Sequence, residues 1–229
     1  MNKFTLFSAV LLGCITGFIL AKKTICKQRT LKPLIKQYRK AEHSVDPLFI
    51  NRWSPRAMSG QPVTQEELNS LFEAMRWAPS SYNEQPWRIL YAFKDTPDWN
   101  LFFNLLVPFN QEWVKNAGAL LAVISKNNFT HNNSYSPTHS FDTGAALQNL
   151  ALQGDLLGLV VHGMGGFDYQ RAKEELHIPE GYTVEAMFAI GKPGEINRLP
   201  ELMQATEKPS DRKKIEQFAT QGKFSSSIS

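Results

Sequence analysis

Beyond its N-terminal quarter, the chain alternates between two hydrophobic periods. Leu68, Leu71, Phe72 and Met75 recur at three- and four-residue intervals, which predicts an amphipathic helix over Gln65–Trp77. Its start is written in "TQEE" at Thr64–Glu67, where the Thr64 hydroxyl can accept from the Glu67 N–H and the Glu67 carboxylate can reach back. Pro79 then stops it. "RILYAF" at 88–93, "ALLAVI" at 119–124, "LVVHGM" at 159–164 and "TVEAMFAI" at 183–190 are short apolar runs with branched or aromatic residues, and read as strands. Thr143–Leu157 puts Leu147, Leu150, Ala151 and Gly154 on one small, apolar helical face. "DYQRAKEEL" at 168–176 reads as a further helix capped by Asp168. Helices and strands mix without strict alternation, so the expected class is α+β.

The hydrophobic pattern is different at the start of the chain. Residues 4–21, "FTLFSAVLLGCITGFILA", are apolar or small throughout, with Lys3 before and Lys22, Lys23, Lys27 and Arg29 after. As a helix this run would be roughly 27 Å long, close to a hydrocarbon core of about 30 Å. The basic flank places the C-terminal side in the cytoplasm. A cleaved signal peptide, a lipoprotein signal read from "LLGC" at Leu11–Cys14, and an organellar presequence are the other readings. Gly13 and Gly17 form a GxxxG, a spacing that permits close packing of two membrane helices. Three stretches follow: an anchor or signal segment at 1–21, a basic juxtamembrane linker at 22–48, and a folded domain at 49–229, whose structure is expected to start near Pro47.

Charge refines this division. The net charge is +4, yet nine of the 25 Lys and Arg lie in residues 1–41, which hold no Asp or Glu. The remainder is therefore mildly acidic, which argues against nucleic acid as a partner and for a membrane surface. The two cysteines, Cys14 and Cys26, both precede the domain, so it has no disulfide framework and no Cys-based metal site.

Three stretches carry candidate chemistry. "WAPSSYNEQPW" at Trp77–Trp87 crowds small hydrogen-bonding side chains into a turn walled by aromatics. "NRWSPRAM" at Asn51–Met58 puts Arg52, Ser54 and Arg56 on alternate residues, which in extended chain project from one side and suit a phosphate or delocalised anion. "HGMGGFD" at His162–Asp168 sits between strand and helix, but Asp168 stands where a dinucleotide fingerprint has its third glycine, and a tight turn accounts for the glycines equally well. The polar run Ser125–Ser140 reads as a lid, a binding loop or a disordered crossing, with His131 and His139 facing solvent rather than a metal.

Taken together, these stretches resemble the FMN-dependent nitroreductases over residues 49–215. The arginine-serine-arginine opening, "APSSYNEQPW", "GLVVHGMGGFD", "AIGKPG" and "DRKK" occur in that family's order and spacing. The resemblance implies an intertwined α+β homodimer with a central, mainly antiparallel sheet and two FMN sites, each built from both subunits. It implies that Arg52 and Ser54, with Arg212, hold the FMN phosphate, that Trp53 lies among them, and that Arg56 approaches the pyrimidine edge. It places Pro79, Ser80, Ser81 and Asn83 along the flavin of the other subunit with Gln85 supporting their turn, Asn110 near the pyrimidine ring, and Met164, Gly165 and Gly166 beside the ring. Trp113 stands where one branch of the family has a lysine. The implied reaction is ping-pong hydride transfer through flavin N5, from NADH or NADPH to a nitroaromatic, quinone or similar small acceptor, with no catalytic side chain. Reductive dehalogenation or flavin breakdown on the same fold, and a membrane-tethered binding module without turnover, are the alternatives.

Overall fold

The computed structural model describes residues 29–225 and 228. Among these, four strands form one sheet: β1 (Trp87–Phe93), β2 (Ala119–Lys126), β3 (Val160–Met164) and β4 (Tyr182–Gly191). Their order is β1-β2-β4-β3 and every neighbouring pair is antiparallel. This is the expected α+β architecture.

The sheet is covered on both faces, and the period of two along β2 decides what goes where. Leu120, Ala122 and Ile124 face a cluster with Phe102, Leu105, Trp113, Val114, Met187 and Ala189. Ala119 and Leu121 face the opposite cluster, with Leu68, Leu71, Met75, Leu150, Val161 and Ile190. The second layer is built by α3 (Gln65–Arg76) and α6 (His139–Leu156), and the first by α4 (Trp99–Phe103), α5 (Pro108–Val114) and α7 (Tyr169–Glu175). Helix α3 opens on the reciprocal Thr64–Glu67 capping box read from the sequence, and its buried residues are Leu68, Leu71 and Met75. Helix α7 opens on Asp168, whose side chain accepts the Arg171 N–H. Gly154 lets α6 lie against β3: a Cβ there would come within 2.3 Å of Val161 Cγ2.

Three features depart from expectation. Ordered structure begins ahead of Pro47: α1 (Pro33–Tyr38) buries Ile35 at 1% exposure, before α2 (Pro47–Asn51). Helix α6 starts at His139, four residues before Thr143, because the polar residues of its first turn have partners in the sheet (below). Residues 94–118, given no element by the periodicity, hold α4 and α5. The chain closes with α8 (Glu201–Gln204) and the stretch around Arg212. No helix among the described residues is long and apolar enough to cross a membrane, and the run 4–21 lies outside the described residues.

Candidate flavin site

The basic half of the site grows from α2. Asp46 caps that helix by accepting the Leu48 N–H at 2.8 Å, and after Asn51 the backbone becomes extended at Arg52. Arg52 Nη1 then donates to Ser54 Oγ at 3.2 Å. Arg212 approaches from the C-terminal stretch and Arg39 from the residue after α1, and the three charges feel one another. Burial first, then the charge of Arg212, holds the Arg52 guanidinium below its ordinary range, with Asp155 opposing. Arg39 is lowered by burial, then by Arg212 and Arg52. Like charges gathered against their own repulsion suit a dianion such as phosphate.

Arg56 does not join that cluster, although alternation predicts it on the same side. Its guanidinium turns to Thr206 Oγ1 at 3.2 Å and Glu207 Oε2 at 3.7 Å, and lies 5.9 Å from the Phe109 ring centre. Glu207 also accepts the N–H groups of Arg56 and Ala57, at 2.5 and 2.8 Å, so one carboxylate holds both the backbone and the charge of this segment. Sequence reasoning missed Glu207, which no local pattern marks.

From Phe109 the wall continues through named bonds. Asn110 Nδ2 donates to the Gly166 carbonyl at 2.9 Å, and Trp113 Nε1 donates to Asn110 Oδ1 at 3.3 Å. Trp113 is 1% exposed, with its ring 4.5 Å from that of His162, whose Nδ1 is 2.9 Å from the Pro55 carbonyl. Arg56, Asn110 and Met164–Gly166 therefore share one wall. A Cβ at Gly166 would meet Asn110 Nδ2 at 2.7 Å and Val107 Cγ2 at 3.1 Å, so a larger residue there would displace the Asn110 side chain. Met164 itself is buried, and its side chain belongs to the core. Trp53 lines a cavity of about 380 Å³ together with Lys32, Asp155 and Glu207.

The turn at Pro79–Gln85 lies elsewhere. Ser80 Oγ accepts the Gln85 N–H at 3.0 Å, Gln85 Nε2 donates to the Asn83 carbonyl at 3.0 Å, and Tyr82, Asn83 and Gln85 all adopt left-handed φ, at 52°, 55° and 51°. Three such residues cost of order 1 kcal/mol each or more and mark a shape that the surroundings impose. Asp142, in the first turn of α6, accepts the Ser81 N–H at 3.0 Å. At the far end of α6, Asp155 accepts from Lys32 Nζ at 2.7 Å and faces Arg52. Thirteen helical residues, about 20 Å, separate the two aspartates, so one chain holds the turn and the arginine cluster at opposite ends of a rod.

The polar loop is fastened to that turn. Glu84 accepts from the Thr130 N–H at 2.8 Å and the Thr130 hydroxyl at 2.5 Å, and Phe129 and His131 pack on Tyr82 with ring centres 5.5 Å away. His139 does not face solvent as expected: it is 7% exposed, its Nδ1 lies 2.7 Å from Ser125 Oγ, and Ser125 Oγ also donates to Glu185 Oε1 at 2.5 Å. Ser140 donates to the same carboxylate at 2.7 Å, which is why the helix starts early. His131 is exposed.

An arginine cluster beside a glycine-containing wall on an antiparallel sheet suits a phosphorylated ligand, and likeness to known proteins identifies the family. The model of the nitroreductase family matches residues 50–98 and 100–192. The chain belongs to the nitroreductase family. A crystal structure of an oxidoreductase containing FMN is 47% identical, with a TM-score of 0.78 over 82% of this chain and 96% of that one. A Polynucleobacter asymbioticus protein under the provisional name NADH dehydrogenase/NAD(P)H nitroreductase is 27% identical over 179 residues, covering 69% of this chain and 90% of that protein. An uncharacterized 15.4 kDa protein of Mycolicibacterium smegmatis is 31% identical over 84 residues, so the match spans 36% of this chain and 56% of that one.

Proposed function

We propose that the chain is an FMN-dependent NAD(P)H oxidoreductase acting on nitroaromatics, quinones or similar small acceptors. The observation that carries this reading is the gathering of Arg52, Ser54 and Arg212 at one end of a wall formed by Arg56, Asn110 and Gly166. The donor set fits the cofactor's two ends: guanidinium forks and a hydroxyl for a phosphate, carboxamide and backbone groups for a polar ring edge. When bound, FMN supplies the acceptance of hydride from the nicotinamide and its transfer onward. Arg52, Ser54 and Arg212 would grip the phosphate, while Arg56 would supply positive charge at the pyrimidine edge, tempered by Glu207.

The reading includes a homodimer. Because α6 holds the Ser80–Asn83 turn about 20 Å from the Arg52 end, a site needing both takes one of them from a second copy. Exposed Trp77, Tyr82 and Phe141, at 72%, 82% and 78%, are the kind of surface such a copy covers. The run 4–21 is retained as a membrane anchor with the domain on the cytoplasmic side, resting on its apolar length and basic flank alone.

The test is an absorbance spectrum of the purified chain. Bound yellow flavin that bleaches with NADH or NADPH and returns with a quinone or nitroaromatic is the expected result. A colourless chain that takes up no FMN sinks the proposal.

A further inference from the structure

Residues 31–42 precede the stretch matched by the family model, which begins at residue 50. They are nevertheless bonded into the basic half of the site. The Lys32 N–H donates to Asn51 Oδ1 at 2.9 Å, and Ile35 is buried against the domain. The chain then delivers Arg39, whose guanidinium reaches two separate lengths of backbone. Nη1 donates to the carbonyls of Ile50 and Arg52, each at 2.7 Å, and Nε donates to the carbonyl of Ser210 at 2.8 Å. Three residues further on, Glu42 accepts the Ile215 N–H at 2.9 Å, a second tie to the same C-terminal stretch.

We propose that Arg39 is a positioning residue for the phosphate end of the cofactor site, joining the main chain at Arg52 to that at Ser210 so that the guanidiniums of Arg52 and Arg212 converge on one dianion. This rests on the FMN reading above. The task needs a rigid, planar fork of donors, which a guanidinium has and an ammonium lacks. It also needs a reason for Arg39 to sit beside two other arginines. The three carbonyl bonds supply it, offsetting part of the burial, and of the repulsion from Arg212 and Arg52, that lower Arg39. Without the fork, the C-terminal stretch keeps the Glu42 tie but loses its bond at Ser210, next to Arg212. The phosphate grip loosens while the ring wall at Asn110 and Gly166, which Arg39 does not touch, stays in place.

FMN and riboflavin separate these parts, since riboflavin carries the ring and ribityl chain without the phosphate. Their affinities are measured for the whole 229-residue chain and for its Arg39→Ala and Arg39→Lys variants. Arg39→Ala is expected to lose about tenfold or more in FMN affinity with riboflavin changed less than about twofold, and Arg39→Lys is expected not to restore the difference. Equal losses for both ligands, which a general scaffolding role would give, or no loss for either, overturn the assignment. A parent chain that binds FMN no better than riboflavin overturns the phosphate site as well, a failure visible before any substitution is made. Should Arg39→Ala fail to fold, Arg39→Gln keeps one amide donor, removes the charge, and is read with the same two ligands.

Discussion

Asp142 Oδ2 accepts the backbone N–H of Ser81 at 3.0 Å, across 61 residues of sequence. This bond anchors the strained turn to the first turn of α6, and the Thr138 hydroxyl donates to the same oxygen at 3.1 Å. Asp142→Ala leaves both donors without their acceptor and is expected to cost about 1–3 kcal/mol. Urea denaturation measures the loss. On the proposed reading the turn lies along the flavin of the other subunit, so turnover with a quinone should fall as well. An unaltered midpoint would mean that the turn holds its shape without Asp142.

A site assembled from two copies has a genetic signature. Arg52→Ala damages the phosphate end, and a paired Ser81→Ala, Asn83→Ala variant damages the turn; each alone should lose most activity. In mixed dimers one site collects both lesions and the other collects none, so co-expression should restore about a quarter of the parent activity for random pairing. No restoration, with both chains present in one dimer, would place the two half-sites in the same protomer.

What the sequence made legible was local. The capping box at Thr64, the period of α3, the four strands and the Asp168 cap each depend on residues within a few positions, and each stands within a residue or two of where it was expected. The motif order made the family readable. Long-range bonding was not legible. Arg39 meets Ser210 across 171 residues, and Glu207 meets the Arg56 N–H across 151, and nothing in the neighbouring residues announces either. His139 sits in a run so polar that solvent was the natural reading. Its burial depends on Ser125 at the end of β2 and Glu185 in β4, which only the sheet register brings together.

His162 gives the fold a pH dependence of defined sign. Burial first, and the charge of Arg56, hold its imidazole below the ordinary histidine range, while the carbonyls of Pro55 and Ser54 and the Glu207 carboxylate pull the other way. The unfolded chain takes up this proton near pH 6.5, whereas the folded chain does so only at lower pH. Between those values the unfolded state binds more protons, so stability falls as pH drops below about 6.5. Glu67 and Glu84 are held below the ordinary carboxylate range and therefore act at still lower pH. Urea midpoints taken at about pH 7.5 and about pH 5.5 should differ in the parent chain. That difference should shrink in His162→Gln, and an identical fall in both would assign the dependence to another group.

Arg56 and Glu207 form the pair through which the protein would set the flavin's potential. Reduction leaves negative charge at the pyrimidine edge, and a cation nearby stabilises it. Arg56 is that cation on the proposed reading, yet its Nη1 stands 3.7 Å from Glu207 Oε2, and the Glu207 side chain is only 5% exposed, so the field it presents is partly cancelled. The two residues therefore act with opposite sign. Arg56→Ala should lower the midpoint potential of bound FMN and slow its reduction by NAD(P)H more than it weakens FMN binding. Glu207→Gln should raise the potential, because it keeps an oxygen for the N–H groups of Arg56 and Ala57 while removing the charge that offsets the guanidinium. Potentiometric titration of both variants reads the signs directly. Shifts of the same sign, or none in Arg56→Ala, would show that the charge governing the flavin lies elsewhere in the site.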